Sequence, residues 1–246
     1  CEYIIHACGP RYLDGKRGEA ELLARTHASI INVAIENNLS SIVIPPISTG
    51  VYRFPADQAA KIAINSVAGA LANSNAEMDV YFAMKEVDKY QVYHHALLKH
   101  QFFEKYKYTL SLELLEPYFD TSFICDDYPD SPLQFERASQ DWRNIFNTQN
   151  IISIGVITAY NPFSQLDNHL DNVNSQKRLY QMLIDDGYTV LNGMGMSKDE
   201  QWQEPSFFVI NIEKIQLEKY LVTFKQTGGV YMDSSTIPIL ILHPTV

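Results

Sequence analysis

Ser41-Ile42-Val43-Ile44-Pro45-Pro46-Ile47-Ser48-Thr49-Gly50-Val51-Tyr52-Arg53-Phe54-Pro55 decides how the first half of the chain folds. Ile42-Val43-Ile44 is short, continuous and β-branched, the pattern of a strand buried on both faces of a parallel sheet. Pro45 and Pro46 end it, since neither can donate to a ladder. A loop of small residues follows, and Pro55 suits the first position of a helix. Ala56, Ala59, Ala60, Ala63, Val67, Ala70 and Leu71 mark one face of that helix at i, i+3, i+4, i+7 spacing. The loop therefore lies at the C-terminal end of a parallel strand, where open α/β sheets bind ligands. Successive N–H groups there can converge on an anion, aided by the dipole of the next helix. Gly50 permits a close approach or a positive φ. Ser48 and Thr49 add hydroxyls, and Tyr52 can cover a sugar or base. An ordinary strand-to-helix turn would use the same residue types for conformation only, and these residues by themselves slightly favour that plainer reading.

Working outward, residues 2–8 are apolar and β-prone, then Gly9-Pro10 breaks the run. A polar turn spans 11–18. A helix from Gly18 to about Asn37-Asn38 carries Leu23, His27, Ile30, Ile31 and Ala34 inward. Val80 to Met84 reads as a strand, and residues 86–100 as a helix with Tyr90, Tyr93 and Leu97 inward. The alternation predicts an α/β unit with a parallel sheet of three strands. Since the chain opens on Cys1 with a strand already under way, the sequence is expected to begin inside a domain, as a fragment of a longer product.

The chain has 246 residues and a formal net charge of −10. No basic cluster is present to neutralise phosphates, so bulk nucleic acid and anionic membrane surfaces are excluded as partners. No apolar run reaches the roughly 20 residues that span a bilayer. Cys1, Cys8 and Cys125 lack metal-ligand spacing and suit idle thiols in a reducing cytoplasm. Neither a metal nor a cofactor is expected: His94-His95 diverge on a helix, and Asp126, Asp127 and Asp130 lack the spacing of a calcium loop.

After a linker at 101–107, helices are expected at 108–118 and 134–147, around the acidic, turn-rich stretch Asp126-Asp127-Tyr128-Pro129-Asp130. From 151 the pattern becomes regular. A strand at 151–159 ends at Asn161-Pro162. A helix at 168–186 buries Val173, Leu179, Met182 and Leu183, with Gly187 at C′. A strand at 188–191 precedes a glycine-rich loop through Gly193 and Gly195. A strand at 207–212, a helix at 213–224, a turn at Gly228-Gly229 and one or two closing strands over 229–242 complete it. The order β-α-β-β-α-β is that of a ferredoxin-like split βαβ sandwich. Polar residues gather at its strand ends: Asn161, Ser164, Asn172, Arg178, Glu204, Ser206 and Gln226. A Glu204–Arg178 pair could hold an anionic site together; the plainer reading, turns shaped by Asn161-Pro162 and Glu204-Pro205, is preferred. His169 and Glu204 are an acid and a base that nothing in the sequence brings together.

Three motifs in the first half carry a resemblance. Tyr3-Ile4-Ile5-His6-Ala7-Cys8-Gly9-Pro10, Gly18-Glu19-Ala20-Glu21-Leu22-Leu23-Ala24 and Ile44 to Pro55 resemble the macro domain, in the family's order and spacing over about residues 2–98. More narrowly they resemble the branch that removes ADP-ribose or O-acetyl groups from ADP-ribose conjugates. The resemblance implies the C-terminal portion of a three-layer α/β/α fold at residues 1–100. It implies ADP-ribose or an ADP-ribosylated protein as partner, with Ser48, Thr49, Gly50, Val51 and Tyr52 wrapping the diphosphate. In active members a water held between diphosphate and distal ribose attacks the ester-bearing carbon.

This sequence departs from the family pattern. The portion with the adenine-recognising acid, the Asn-Ala-Ala-Asn segment and the catalytic Asp is not found, which implies a chain incomplete for catalysis. Arg53 stands where a Gly is usual and could pair with the diphosphate or narrow the groove. Lys85 falls near the place of an adenine-stacking Phe. Residues 108–246 form the second expected domain. Within it Thr158-Ala159-Tyr160-Asn161-Pro162 and Trp202-Gln203-Glu204-Pro205-Ser206 resemble an uncharacterised bacterial family, which implies no reaction and no known protein partner. The functions weighed are an ADP-ribosyl or O-acetyl-ADP-ribose hydrolase and a non-catalytic ADP-ribose reader or scaffold.

Overall fold

The structure, a computed structural model, describes residues 1–245. It divides into two compact units, Cys1–Gln101 and Phe102–Val246. Both mix helix and strand, as the α/β and α+β patterns predict.

In the first unit, helices α1 (Glu19–Glu36) and α2 (Ala56–Ser74) and the greater part of α3 (Val87–Tyr106), whose residues from Phe102 on belong to the second unit, accompany strands β1 (Ser41–Ile44) and β2 (Asp79–Phe82). The two strands pair in parallel, from Ser41 against Asp79 to Ile44 against Phe82. Alternation then sorts their side chains. Ile42, Ile44, Val80 and Phe82 face Ile30, Ile31 and Val67 of the helices. Ala60 and Ala63 of α2 are small enough to bring Tyr93 of α3 into the same layer, 5.5 Å from Phe82. The opposite face is open, with Val43 62% and Tyr81 57% exposed. β1 is therefore not buried on both faces, and its apolar run serves one covered face only.

Residues 2–8 form no strand. A strand exists by its ladder, and β1 pairs with β2 alone among the described residues. The segment runs beside the unpaired edge of β1, and the two line a cleft between them. α3 is longer than its period suggested and absorbs most of the expected linker. The reason is Phe102, wholly buried, whose ring meets Tyr106 at 4.8 Å, Phe119 at 5.3 Å and Phe135 at 5.4 Å. Tyr90 and Leu97, expected inward, are exposed, while Tyr93 is buried.

The second unit contains α4 (Leu112–Asp120), β3 (Ser122–Cys125), β4 (Tyr128–Leu133), α5 (Gln140–Gln149), β5 (Ser153–Ile157), α6 (His169–Asp185), β6 (Thr189–Met196), β7 (Gln203–Ile210), α7 (Lys214–Thr223), β8 (Gly228–Asp233) and β9 (Ile239–Leu242). Its sheet runs β4-β3-β6-β7-β5-β8-β9, antiparallel at every pairing. The central order β6-β7-β5-β8, with α6 and α7 as the crossovers, is the split βαβ arrangement. Leu179, Leu183, Leu217 and Leu221 of the two helices bury one face against Ile157, Val209 and Ile241. Over Phe208, the Trp142 ring of α5 stacks at 6.1 Å, and its Nε1–H donates to Ser131 O at 2.7 Å.

Several local readings are corrected. Gly193 and Gly195 lie inside β6, not in a loop. A Cβ on Gly193 would sit 2.4 Å from Ile124 O and 2.5 Å from the Phe208 ring, so the glycine serves strand packing. Gly228 and Gly229 open β8 and are no turn. Asp126 and Asp127 link β3 to β4, which begins at Tyr128. α5 starts six residues later than expected because Ser139 caps it, accepting from Trp142 N at 3.2 Å.

Candidate functional site

β1 delivers the chain to Pro45-Pro46, and the loop that follows is held by its own backbone. Thr49 Oγ1 donates to Pro46 O at 2.9 Å. Arg53 N donates to Gly50 O at 2.9 Å, and Phe54 N to Ser48 O at 3.0 Å. Tyr12 N donates to Tyr52 O at 2.9 Å, which ties the loop to the turn at 11–18. Beneath it Phe54 is buried against Leu23 and Ala59, with its ring 4.9 Å from Tyr12. Pro55 takes the N-cap of α2, one residue earlier than expected.

With these bonds made, the N–H groups of Ser48, Gly50, Val51 and Tyr52 donate to no acceptor among the described residues. Ser48 Oγ is buried and also without a partner. It lies against Gly9, where a Cβ would be 2.3 Å away. Gly50 does not take a positive φ. What it supplies is room, since a Cβ there would meet nothing within 4 Å. The left-handed residues are instead Ser48 (φ 65°) and Arg53 (φ 57°). Arg53 and Tyr52 are exposed. The loop thus offers donors without protein acceptors among the described residues, and open space beside Gly50.

The turn that abuts the loop has an anchor that sequence reasoning missed. Glu19 is 3% exposed. Its Oε1 accepts from Leu13 N (3.2 Å), Asp14 N (3.3 Å) and Gly15 N (3.3 Å), and its Oε2 from Arg17 N (2.7 Å). Burial alone would raise its pKa, but these amides prevail and lower it to about 2. The signal was an acid directly after Gly18 at a helix start, following an Asp-Gly turn. Nearby in sequence, His27 is buried within α1. Its Nδ1–H donates to Leu23 O at 2.9 Å, its Nε2 has no partner, and burial pulls its pKa down.

In the second unit the structure joins two motifs that the sequence left separate. β5 and β7 are neighbours, with Ile157 opposite Phe207, so the residues after one meet those at the start of the other. Asn161 Nδ2 donates to Glu204 Oε1 at 2.6 Å. Asn172 holds Asn161 by accepting its N–H at 2.7 Å and donating to its Oδ1 at 3.0 Å. Gln176 bridges Ala159 N and Pro205 O. Glu204 does not pair with Arg178, whose guanidinium lies 5.0 Å from the centre of the Phe224 ring. Desolvation raises the Glu204 carboxyl to about 7, against the pull of the Asn161 bond. His169 is exposed at the start of α6, with no bond to Glu204. Among the described residues no cluster of His, Cys, Asp and Glu could hold a metal ion, and no helix is long and apolar enough to cross a membrane.

Residues 1–63 match the family model for the macro domain, and residues 157–228 match that for a protein of unknown function, DUF3293. The curated relatives of the first half include several macro domain-containing proteins. A macro domain-containing protein of an Acinetobacter species (strain ED45-25) is 38% identical over 96 residues, 39% of this chain and 52% of its own length. An O-acetyl-ADP-ribose deacetylase of Citrobacter rodentium is 33% identical over 94 residues, 38% of this chain and 53% of that protein. The chain thus spans about half the length of these relatives. Among solved structures, the Oceanobacillus iheyensis macrodomain with ADP is 30% identical, at a TM-score of 0.34 over 39% of this chain and 50% of that one. The Trypanosoma brucei macrodomain in complex with ADP-ribose is 32% identical, at a TM-score of 0.29 over 30% and 32%.

Proposed function

We propose that the N-terminal unit binds ADP-ribose, with Ser48 to Tyr52 around the diphosphate. The observation that carries this reading is the loop's set of unused donors. Four backbone N–H groups and the buried Ser48 hydroxyl lack protein acceptors at the end of a parallel strand and the start of a helix. The buried Ser48 hydroxyl is costly unless a ligand or water accepts from it, while Gly50, Val51 and Tyr52 are exposed and present their N–H groups where a ligand can reach them. The macro domain match over residues 1–63 and the deacetylase relative support the choice of ligand. A longer form, supplying the part of the family pattern that these residues do not match, would hydrolyse ADP-ribosyl or O-acetyl-ADP-ribose esters by holding a water between diphosphate and distal ribose. For residues 1–246 themselves a non-catalytic reader is the second reading. It is favoured by the loop's chemistry: amides, hydroxyls and the Arg53 guanidinium, with no carboxylate or imidazole within Ser48 to Arg53 for proton transfer.

Calorimetry with ADP-ribose tests the proposal, comparing the chain with Gly50→Glu. The open space at Gly50 lets the carboxylate enter without disturbing the fold, and its charge repels a diphosphate. Saturable binding that the substitution abolishes is expected. No binding, or binding indifferent to Gly50→Glu, overturns the reading. Turnover of an ADP-ribosylated protein, followed by mass spectrometry, separates hydrolase from reader.

A further inference from the structure

The second unit contains a cleft of about 390 Å³ to which the first unit contributes nothing. That volume falls within the range of small-molecule pockets. Its walls are apolar and aromatic, with Phe123, Phe135, Leu166 and Trp202 among them, and its polar lining includes the hydrogen-bonded Asn161 and Glu204. Both motifs singled out in the sequence end there: Thr158 and Asn161 from one, Trp202, Glu204 and Ser206 from the other. No Lys, Arg or His lines it, and Glu204 is its one ionisable carboxyl.

We propose that this cleft is a binding site for a hydrophobic organic cation, an amine on an aromatic or apolar body, with the Glu204 carboxylate as its anchor.

Three features carry the assignment. The first is charge. Glu204 is 8% exposed, and no cationic side chain stands near enough in the lining to neutralise it. An anionic ligand would add a second buried negative charge, whereas a cation supplies the missing partner. The second is geometry. Asn161 occupies Oε1 at 2.6 Å, and among the described residues no bond is made to Oε2, which leaves one acceptor for a point donor such as an ammonium. The aromatic walls are suited to the body of such a ligand and to cation–π contact. The third is backbone strain. Asn161 (φ 48°), Phe163 (φ 51°) and Ser164 (φ 58°) are left-handed, and none is glycine. Such conformations are strained for residues with a side chain, and strain of this kind gathers at ligand clamps. The surroundings hold these residues in place: Phe163 N donates to Lys225 O at 2.6 Å, and Ser164 Oγ bonds Thr227 Oγ1 at 3.0 Å.

Tyr118 of α4 is the titratable group set electrostatically against Glu204; it is hydrogen-bonded to Ser164 and Thr227, and burial holds its hydroxyl protonated. Proton and ligand therefore compete for Glu204. Affinity for a cation should fall about tenfold per pH unit below about 7, as the carboxylate is protonated.

The test uses the full chain and three probes of one shape: 2-phenylethylammonium, the neutral 2-phenylethanol and the anionic 3-phenylpropionate. Ligand-observed NMR gives the affinities. Above neutral pH the amine should bind best, and Glu204→Gln, nearly isosteric and still able to accept from Asn161, should weaken it by at least about tenfold. Trp202→Ala at the exposed rim is a second variant outside the core, and it should weaken all probes that bind. Failure of the amine to bind, equal binding of the anion, or amine binding unchanged in a folded Glu204→Gln protein each overturns the proposal. None of these outcomes touches the ADP-ribose loop, so the two readings fail separately.

Discussion

Glu19 and Glu204 are carboxylates with opposite surroundings, and they give opposite pH dependences. Amides surround Glu19 and hold its pKa near 2, so its stabilising effect is complete above the ordinary carboxyl range and is lost as pH falls through about 2. Glu19→Gln should therefore lower stability at neutral pH by loosening residues 12–18, and the gap to wild type should close as pH falls from about 4.5 to about 2. Glu204 titrates near 7 in the folded chain, so the folded state binds its proton more tightly than the unfolded state does. Stability should fall as pH rises from about 4.5 to about 7, by at most roughly 3 kcal/mol. Urea titrations of Glu204→Gln against wild type should show no gap at acid pH and a gain for the variant at about pH 8. A gain that is independent of pH would remove the desolvated carboxylate as its cause. Arg53 offers a third case. Its φ of 57° is a conformation that glycine adopts without penalty, so Arg53→Gly should stabilise by about 1 kcal/mol, read as a rise in urea midpoint.

The helices with the clearest period, α1 and α2, formed as expected, and several elements that depend on distant partners did not. α1 and α2 carry clear apolar stripes, and Leu23, His27, Ile30, Ile31 and Ala34 are buried as read. The β-α-β-β-α-β order sufficed for the split βαβ core because two crossovers of helix length leave few alternatives. Residues 2–8 have strand composition but no ladder, and composition cannot report a missing neighbour. Gly193 was misread because its reason lies across the sheet in Ile124 O and the Phe208 ring. The same holds for the sites. The loop at Ser48 was visible as a contiguous stretch, whereas Asn161 and Glu204 meet only through the pairing of β5 with β7. Two glycines test this difference. Gly193→Ala drives a Cβ into backbone and should cost about 1–3 kcal/mol. Gly50→Ala enters open space and should change stability by less than about 0.5 kcal/mol. Equal effects in thermal melts would refute the packing role given to Gly193.

The chain joins two units whose sheets are covered to different extents. The second buries both faces of a seven-stranded sheet under helices and aromatic side chains. The first rests on a two-stranded sheet with one open face and one unpaired edge at β1. An exposed edge and apolar face lower stability and invite association. Separate cores also make a single two-state transition unexpected. Calorimetric melting should therefore show two transitions, with the first unit unfolding at the lower temperature. A ligand that binds only the folded state stabilises by RT ln(1 + [L]/Kd), about 2.7 kcal/mol at a hundredfold excess over Kd. ADP-ribose should consequently raise the lower transition and leave the upper one in place, while an aromatic amine should do the reverse. Gly50→Glu should cancel the first shift and Glu204→Gln the second. If ADP-ribose moves the upper transition alone, its site lies outside Ser48–Tyr52. If each ligand moves both transitions together, the two units unfold as one, and the assignment of separate stabilities is wrong.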